Sequence, residues 1–215
     1  LVESEREADK ARAVREVLRN ILVSANPENT TDRDITVREV LDVATTDLLD
    51  AEAEQPPEVL GAALWTIGST YRALGETEPA ARTLEAAVET LRPTDDVPEF
   101  VDALSALAGL RINQNEHAEA ESLYREALAK VRSDPDAFDR EPLILDGLGI
   151  ALQGQGRTSD AIEMFLAATP LHRAHYGEMS LEMATNLNNI GFAQFHLQEF
   201  DNAAETFESV LAVQT

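Results

Sequence analysis

Four stretches decide the fold: LWTIGSTY (64–71), LSALAGLR (104–111), LDGLGIAL (145–152) and LNNIGFAQ (187–194). Each carries Leu, then an apolar residue directly before a small one: Gly68, Ala108, Gly149 and Gly191, spaced 40, 41 and 42 residues apart. Twelve residues after the small residue stands Ala80, Ala120, Ala161 or Ala203. Sixteen after it stands Leu84, Tyr124, Phe165 or Phe207, and nineteen after it Ala87, Ala127, Ala168 or Val210. A period of this length marks an array of helical hairpins. The small residue and the early alanine let the two helices of a hairpin approach closely; the bulky residue is expected to fill the space toward the next hairpin.

The fold class this predicts is all-α: a right-handed α-solenoid of about four helix pairs, at about 57–93, 97–133, 139–175 and 180–215, preceded by two N-terminal helices. Leu74-Gly75-Glu76, Asn113-Gln114-Asn115 and Gly154-Gln155-Gly156 fall where paired helices reverse. Asp96-Val97-Pro98-Glu99 resembles a capping box, and Ser180 is placed as the cap of the last pair's first helix. Upstream, Val14, Val17, Leu18, Ile21 and Leu22 form one apolar stripe within residues 1–24, and 24–34 is rich in turn formers. A second helix is expected at about 36–52, ended by Pro56-Pro57. Residues 1–54 are thus read as linker helices packing on the first repeat, and 55–215 as the repeat array.

Of 215 residues, 44% are hydrophobic and 5% aromatic, which suits close helix packing better than a β-sandwich. There is no cysteine, which excludes disulfides, thiolate metal sites and a cysteine nucleophile. No apolar run is long enough for a transmembrane helix. The net charge of −23 opposes binding to nucleic acid. Residues 1–24 balance five acids with five bases, so the rest carries the excess; the only lysines are Lys10 and Lys130. Two readings of the acidity stand: a solvated surface, or a groove that selects a basic partner. The opening Leu1-Val2-Glu3 is read as an internal start within a longer protein.

The skeleton Leu64, Ile67, Gly68, Tyr71, Ala80, Leu84 and Ala87 resembles the tetratricopeptide repeat. The longer period, with Tyr176-Gly177-Glu178 and Ala184 to Gly191, is similar to the kinesin-light-chain variant. Thr36-Val37-Arg38-Glu39-Val40-Leu41-Asp42, after the amphipathic helix and an Ala-Asn-Pro break, resembles the linker of bacterial serine/threonine protein kinases with C-terminal repeats. That resemblance implies a kinase domain and membrane helix before Leu1, with the repeats outside the cytoplasm as a sensor or scaffold. The alternative is a stand-alone cytoplasmic adaptor. No glycine-rich phosphate loop, His-Arg-Asp or Asp-Phe-Gly segment occurs here, so the chain itself is expected to be non-catalytic.

In such arrays the first helices line a concave groove. The helical period places Trp65, Ser69 and Arg72 there, then Asp102, Ser105 and Ile112, then Asp146, Ile150 and Gln153, then Asn188, Asn189, Phe192 and Phe195. The asparagines can donate to and accept from an extended peptide backbone, and the aromatics can form apolar pockets; the alternative is that Trp65 and Phe195 pack on neighbouring helices. Arg72, beside Asp102 and Asp146, is read as internally paired. No two-lysine clamp for a C-terminal carboxylate is present. His172 and His175 share one helical face but lack a third metal ligand, so neither metal nor cofactor is expected. His117 and His196 are expected to face solvent. No acid pair suggests general acid–base work. Asn29-Thr30-Thr31 is read as a turn. The partner expected is a protein or peptide, with residues 1–24 or the uncapped last repeat as homodimer elements.

Overall fold

The computed structural model describes residues 11, 12, 15, 36–50 and 55–213. Among them are nine α-helices, one 3-10 turn and no strand. They run α1 (Val37–Asp50), α2 (Pro57–Ala73), α3 (Thr77–Leu91), α4 (Val97–Asn113), α5 (His117–Val131), a 3-10 segment (Pro135–Arg140), α6 (Glu141–Gly154), α7 (Thr158–Tyr176), α8 (Leu181–His196) and α9 (Phe200–Val213). The expected helix in residues 1–24 and the break after it lie outside the described residues, apart from isolated helical positions. The chain divides into two compact units, 1–106 and 107–215, the division falling inside α4.

In the first unit, Thr36 and Glu39 close a capping box on α1. The Glu39 amide donates to Thr36 Oγ1 at 3.2 Å, and the Thr36 amide to Glu39 Oε2 at 3.0 Å. Pro57 occupies the first turn of α2, where its missing N–H costs nothing. Helices α2 and α3 pair around Leu60, Leu64, Ile67, Leu84 and Leu91, all fully buried. Burying each such side chain contributes about 2 kcal/mol. The helices approach closely at Gly68, where an added Cβ would lie 2.7 Å from Leu84 Cγ, and at Gly61, where it would overlap Leu91. Helix α1 is tied to this pair by Tyr71, whose hydroxyl donates to Asp42 Oδ1 at 2.7 Å. Burial first, then that carboxylate, pushes the phenol up from 10.0 to about 12.

In the second unit the same contact recurs. A Cβ on Gly191 would lie 2.7 Å from Phe207, and one on Gly149 would overlap the Phe165 ring. The bulky residue therefore seats on the small residue of its own pair, not toward the next pair as the sequence reading held. The reason is register: sixteen residues bring the chain back through the turn to the level where it left. Tyr124 is the exception. A Cβ on Gly147 of α6 would overlap its ring, so Tyr124 does reach the following pair. Ala80, Ala120, Ala161 and Ala203 are all buried.

The four reversals within helix pairs are built alike. Gly75, Asn115, Gly156 and Gln198 have φ of 77°, 62°, 77° and 63°. In each, that residue's amide and the next close back on the preceding helix: Gly75 to Arg72 and Glu76 to Tyr71, and likewise through to Gln198 to Phe195 and Glu199 to Gln194. These paired bonds satisfy the carbonyls of the last helical turn. The fourth reversal, with glutamine in the left-handed region, went unnoticed in the sequence because it lacks Gly or Asn. Ser180 does cap α8, its hydroxyl accepting from the Met183 amide at 3.1 Å.

Candidate partner-binding cleft

Within the second unit an open cleft of about 640 Å³ lies among α5, α6, α8 and the turn after α6. Helix α6 supplies Ile150, Gln153 and Gly154; the turn supplies Gly156 and Thr158; α5 gives His117; α8 gives Asn189, Phe192 and His196. Ile150 and Phe192 each directly follow the small residue of their repeat, so they occupy equivalent places on the two first helices. Gln153 lies one turn beyond Ile150, and Asn189 one turn before Phe192, which puts an amide beside each apolar group. The side chains of Gln153 and Asn189 make no hydrogen bond among the described residues, so each keeps both donor and acceptor capacity. Phe192 is 56% exposed and its ring is backed edge-on by Phe207 at 5.4 Å.

The structure thus brings together Ile150, Gln153, Asn189 and Phe192 of the residues assigned to the groove. Asn188 is partly covered and Phe195 exposed, but neither lines the cleft; Phe195 rests edge-on against Phe200 at 5.4 Å. In the first unit Trp65, Ser69, Asp102 and Ser105 are half-buried and Arg72 is exposed, and none is among the residues lining the cleft between Asp42 and Tyr71. Ile112, in the second unit, is also half-buried and outside the cleft.

Asp146 contradicts the sequence reading: it is buried, not groove-facing. Its Oδ2 lies 2.7 Å from His172 Nε2, and its Oδ1 accepts from the Asn186 amide at 2.7 Å. The Asn186 amide also donates to the Phe165 carbonyl at 3.0 Å, and its oxygen accepts from the Thr169 hydroxyl at 2.8 Å. The other ring nitrogen of His172, Nδ1, is buried without a partner among the described residues. Asp146, His172 and Asn186 join α6, α7 and α8 one turn from the cleft walls, since Ile150 follows Asp146 by four residues and Asn189 follows Asn186 by three.

This arrangement also disposes of the His172–His175 pair. His172 is wholly buried on Asp146, whereas His175 is exposed and packs edge-on against Tyr176 at 4.5 Å. Among the described residues no three His, Asp or Glu side chains are grouped for a metal ion. His117 is likewise not free in solvent. It is half-buried, its Nδ1 covered, because Gly154 offers no side chain where the ring packs. His196 is exposed, as expected. No helix among the described residues is long and apolar enough to cross a membrane.

Arg157, between the lining residues Gly156 and Thr158, joins a balanced charge cluster. Arg157 lies 2.9 Å from Glu121 and 2.6 Å from Asp160, and Arg125 lies 2.8 Å from Glu121. The Gln155 amide, donating at 2.8 Å, together with Arg125 and Arg157, holds the Glu121 carboxyl below the usual carboxylate range.

Residues 66–137 match the family model described as Tetratricopeptide repeat. No curated protein matches the chain by sequence. Several solved structures share its fold. BtubC (BKLC) from P. vanneervenii is 18% identical, with a TM-score of 0.69 over 84% of this chain and 74% of that one. A putative kinesin light chain of Podosopora anserina with nearly identical TPR-like repeats is 18% identical, with a TM-score of 0.64 over 97% and 95%. MamA 41-end from Desulfovibrio magneticus RS-1 is 19% identical, with a TM-score of 0.58 over 96% of both. Residues 66–137 of this all-α chain thus resemble the tetratricopeptide repeat, and the described helices share the fold of TPR-like solenoids.

Proposed function

We propose that the chain is a protein–protein interaction module whose second unit docks an extended segment of a partner in the cleft between α6 and α8. The observation that carries this is the convergence of Ile150 and Phe192, each paired with an unbonded amide, Gln153 and Asn189. An exposed apolar pair gains by covering, and amides with free donors and acceptors can read a peptide backbone at the same time. The test selects a phage-displayed random nonapeptide library on the whole chain, then measures the winners on Ile150→Ser and Phe192→Ser. Each substitution removes apolar contact at an exposed position. Binding is expected to fall about tenfold for each, with helicity unchanged. Equal binding to both variants and the parent would refute the docking site.

The finer role, as sensor or scaffold region of a bacterial transmembrane serine/threonine kinase, is supported by the resemblance of Thr36–Asp42 to the linker of such kinases. The reading frame upstream of the Leu1 codon tests it. A kinase domain and a membrane helix are expected; a frame encoding neither leaves the adaptor role.

A further inference from the structure

Charge is what separates this cleft from the rest of the molecule. Asp and Glu make up 40 of the 215 residues, yet none of the nine residues lining the cleft is Asp, Glu, Lys or Arg. The charged groups beside the lining turn, two acids and two arginines, are consumed by one another, and the buried Asp146 is taken up by His172 and Asn186. Inside, Ile150 and Phe192 offer apolar surface, and Gln153, Asn189 and Thr158 offer uncharged polar atoms with no bond among the described residues. A lysine or arginine entering here would leave its water shell without meeting a carboxylate, and an acid would meet no lysine or arginine. An uncharged segment with an aliphatic side chain loses little on entry and gains the burial of that side chain.

Resting on the docking role above, we infer that the cleft selects an uncharged partner segment with an aliphatic anchor seated between Ile150 and Phe192, its backbone read by Gln153 and Asn189. The acidity of the chain is then a property of its other surfaces, not the basis of recognition at this site.

The composition of the selected nonapeptides tests this. The retained pool should be enriched in Leu, Ile, Val or Met, and no richer in Lys or Arg than the starting library. Affinity should stay within about twofold between roughly 50 and 500 mM salt, since no ion pair is made. Asn189→Asp removes a donor and adds a charge at a half-exposed position while keeping the side chain's shape. It should weaken these peptides about tenfold. A pool that depends on Ile150 and Phe192 but is rich in Lys and Arg, salt-sensitive, and bound more tightly by the Asn189→Asp chain would overturn the inference while leaving the docking role standing. A pool indifferent to Ile150→Ser and Phe192→Ser, or an empty selection, overturns both.

Discussion

The pair α2–α3 and the pairs of the second unit close around the same device, a glycine beneath a bulky side chain sixteen residues on, but differ in what lies one turn before it. In the first pair that level is apolar: Ala63 is fully buried and Trp65 half-buried. At the same places the second unit carries Asn186 in its last repeat and Asp146 in the one before, buried and bonded to each other and to His172. The first pair instead puts its polar contact at the edge, where Tyr71 meets Asp42. Two repeats built to one plan can thus be fastened by packing alone or by a polar knot. A knot fixes register more sharply than alkyl contacts, because its hydrogen bonds form in one geometry only. It lies beside the cleft, where wall spacing matters.

The largest test breaks the knot. Asp146→Ala leaves His172 Nε2 buried without a partner and Asn186 with only one of its two acceptors, and should cost about 3 kcal/mol in urea unfolding. Asp42→Ala, which orphans only one hydroxyl at an edge, should cost about 1 kcal/mol. The sharper form replaces all three members with Asp146→Leu, His172→Phe and Asn186→Leu. If the knot serves register rather than stability, that triple change should cost less than Asp146→Ala alone. A triple variant less stable than the single would mean that the polar bonds are themselves the main fastening.

The shared device can be compared in the same way. Gly149→Ala drives a methyl group into the Phe165 ring, which cannot bend, while Gly68→Ala meets Leu84, which can change rotamer. The expected losses are about 3 and about 1 kcal/mol, read as shifts in the urea midpoint. Equal losses would show that the backbone, not the facing side chain, absorbs the added methyl group.

The plan of the array was legible because close helix contact admits only Gly or Ala, and that demand returns every 40–42 residues. Asp146 was misread because its place in the repeat, held elsewhere by Trp65, Ser105 and Asn188, was taken to face the groove. Which side is covered depends on His172 and Asn186, 26 and 40 residues away. A signal was present nonetheless. Asp146 sits in PLILDGLGIAL (142–152), where every other residue is apolar or glycine; most of such a helix is buried, here all but Leu143 and Ile150, and the acid with it. Ile150, Gln153, Asn189 and Phe192 were placed by periodicity. His117, Gly154, Gly156, Thr158 and His196 were not, because they enter the cleft from helix ends and a turn that periodicity does not describe.

The edge contact of the first pair has its own signature in alkali. Folding raises the Tyr71 pKa from 10.0 to about 12, so between these values the folded chain keeps a proton that the unfolded chain releases. Stability is therefore full below pH 10 and falls as pH rises toward about 12, by roughly 3 kcal/mol. Tyr71→Phe should flatten that part of the profile at the expense of about 1 kcal/mol at neutral pH. An unchanged alkaline slope would assign the loss to other groups.

The smallest effect concerns the reversals. Gln198 holds φ at 63°, where Gly75 and Gly156 serve in the equivalent places. A side chain there crowds its own backbone, a strain that glycine avoids. Gln198→Gly should raise the unfolding free energy by about 0.5 kcal/mol, the relief of strain exceeding the extra freedom given to the unfolded chain. Gly75→Ala should lower it by about 1 kcal/mol, since no neighbour lies within 4 Å of the added Cβ and the loss can come only from the backbone. Because the four reversals share one pattern of bonds, the gain at 198 and the loss at 75 measure one quantity from opposite directions. A stabilising Gly75→Ala would mean that this reversal relaxes out of the left-handed region, and the likeness of the four turns would fail there first.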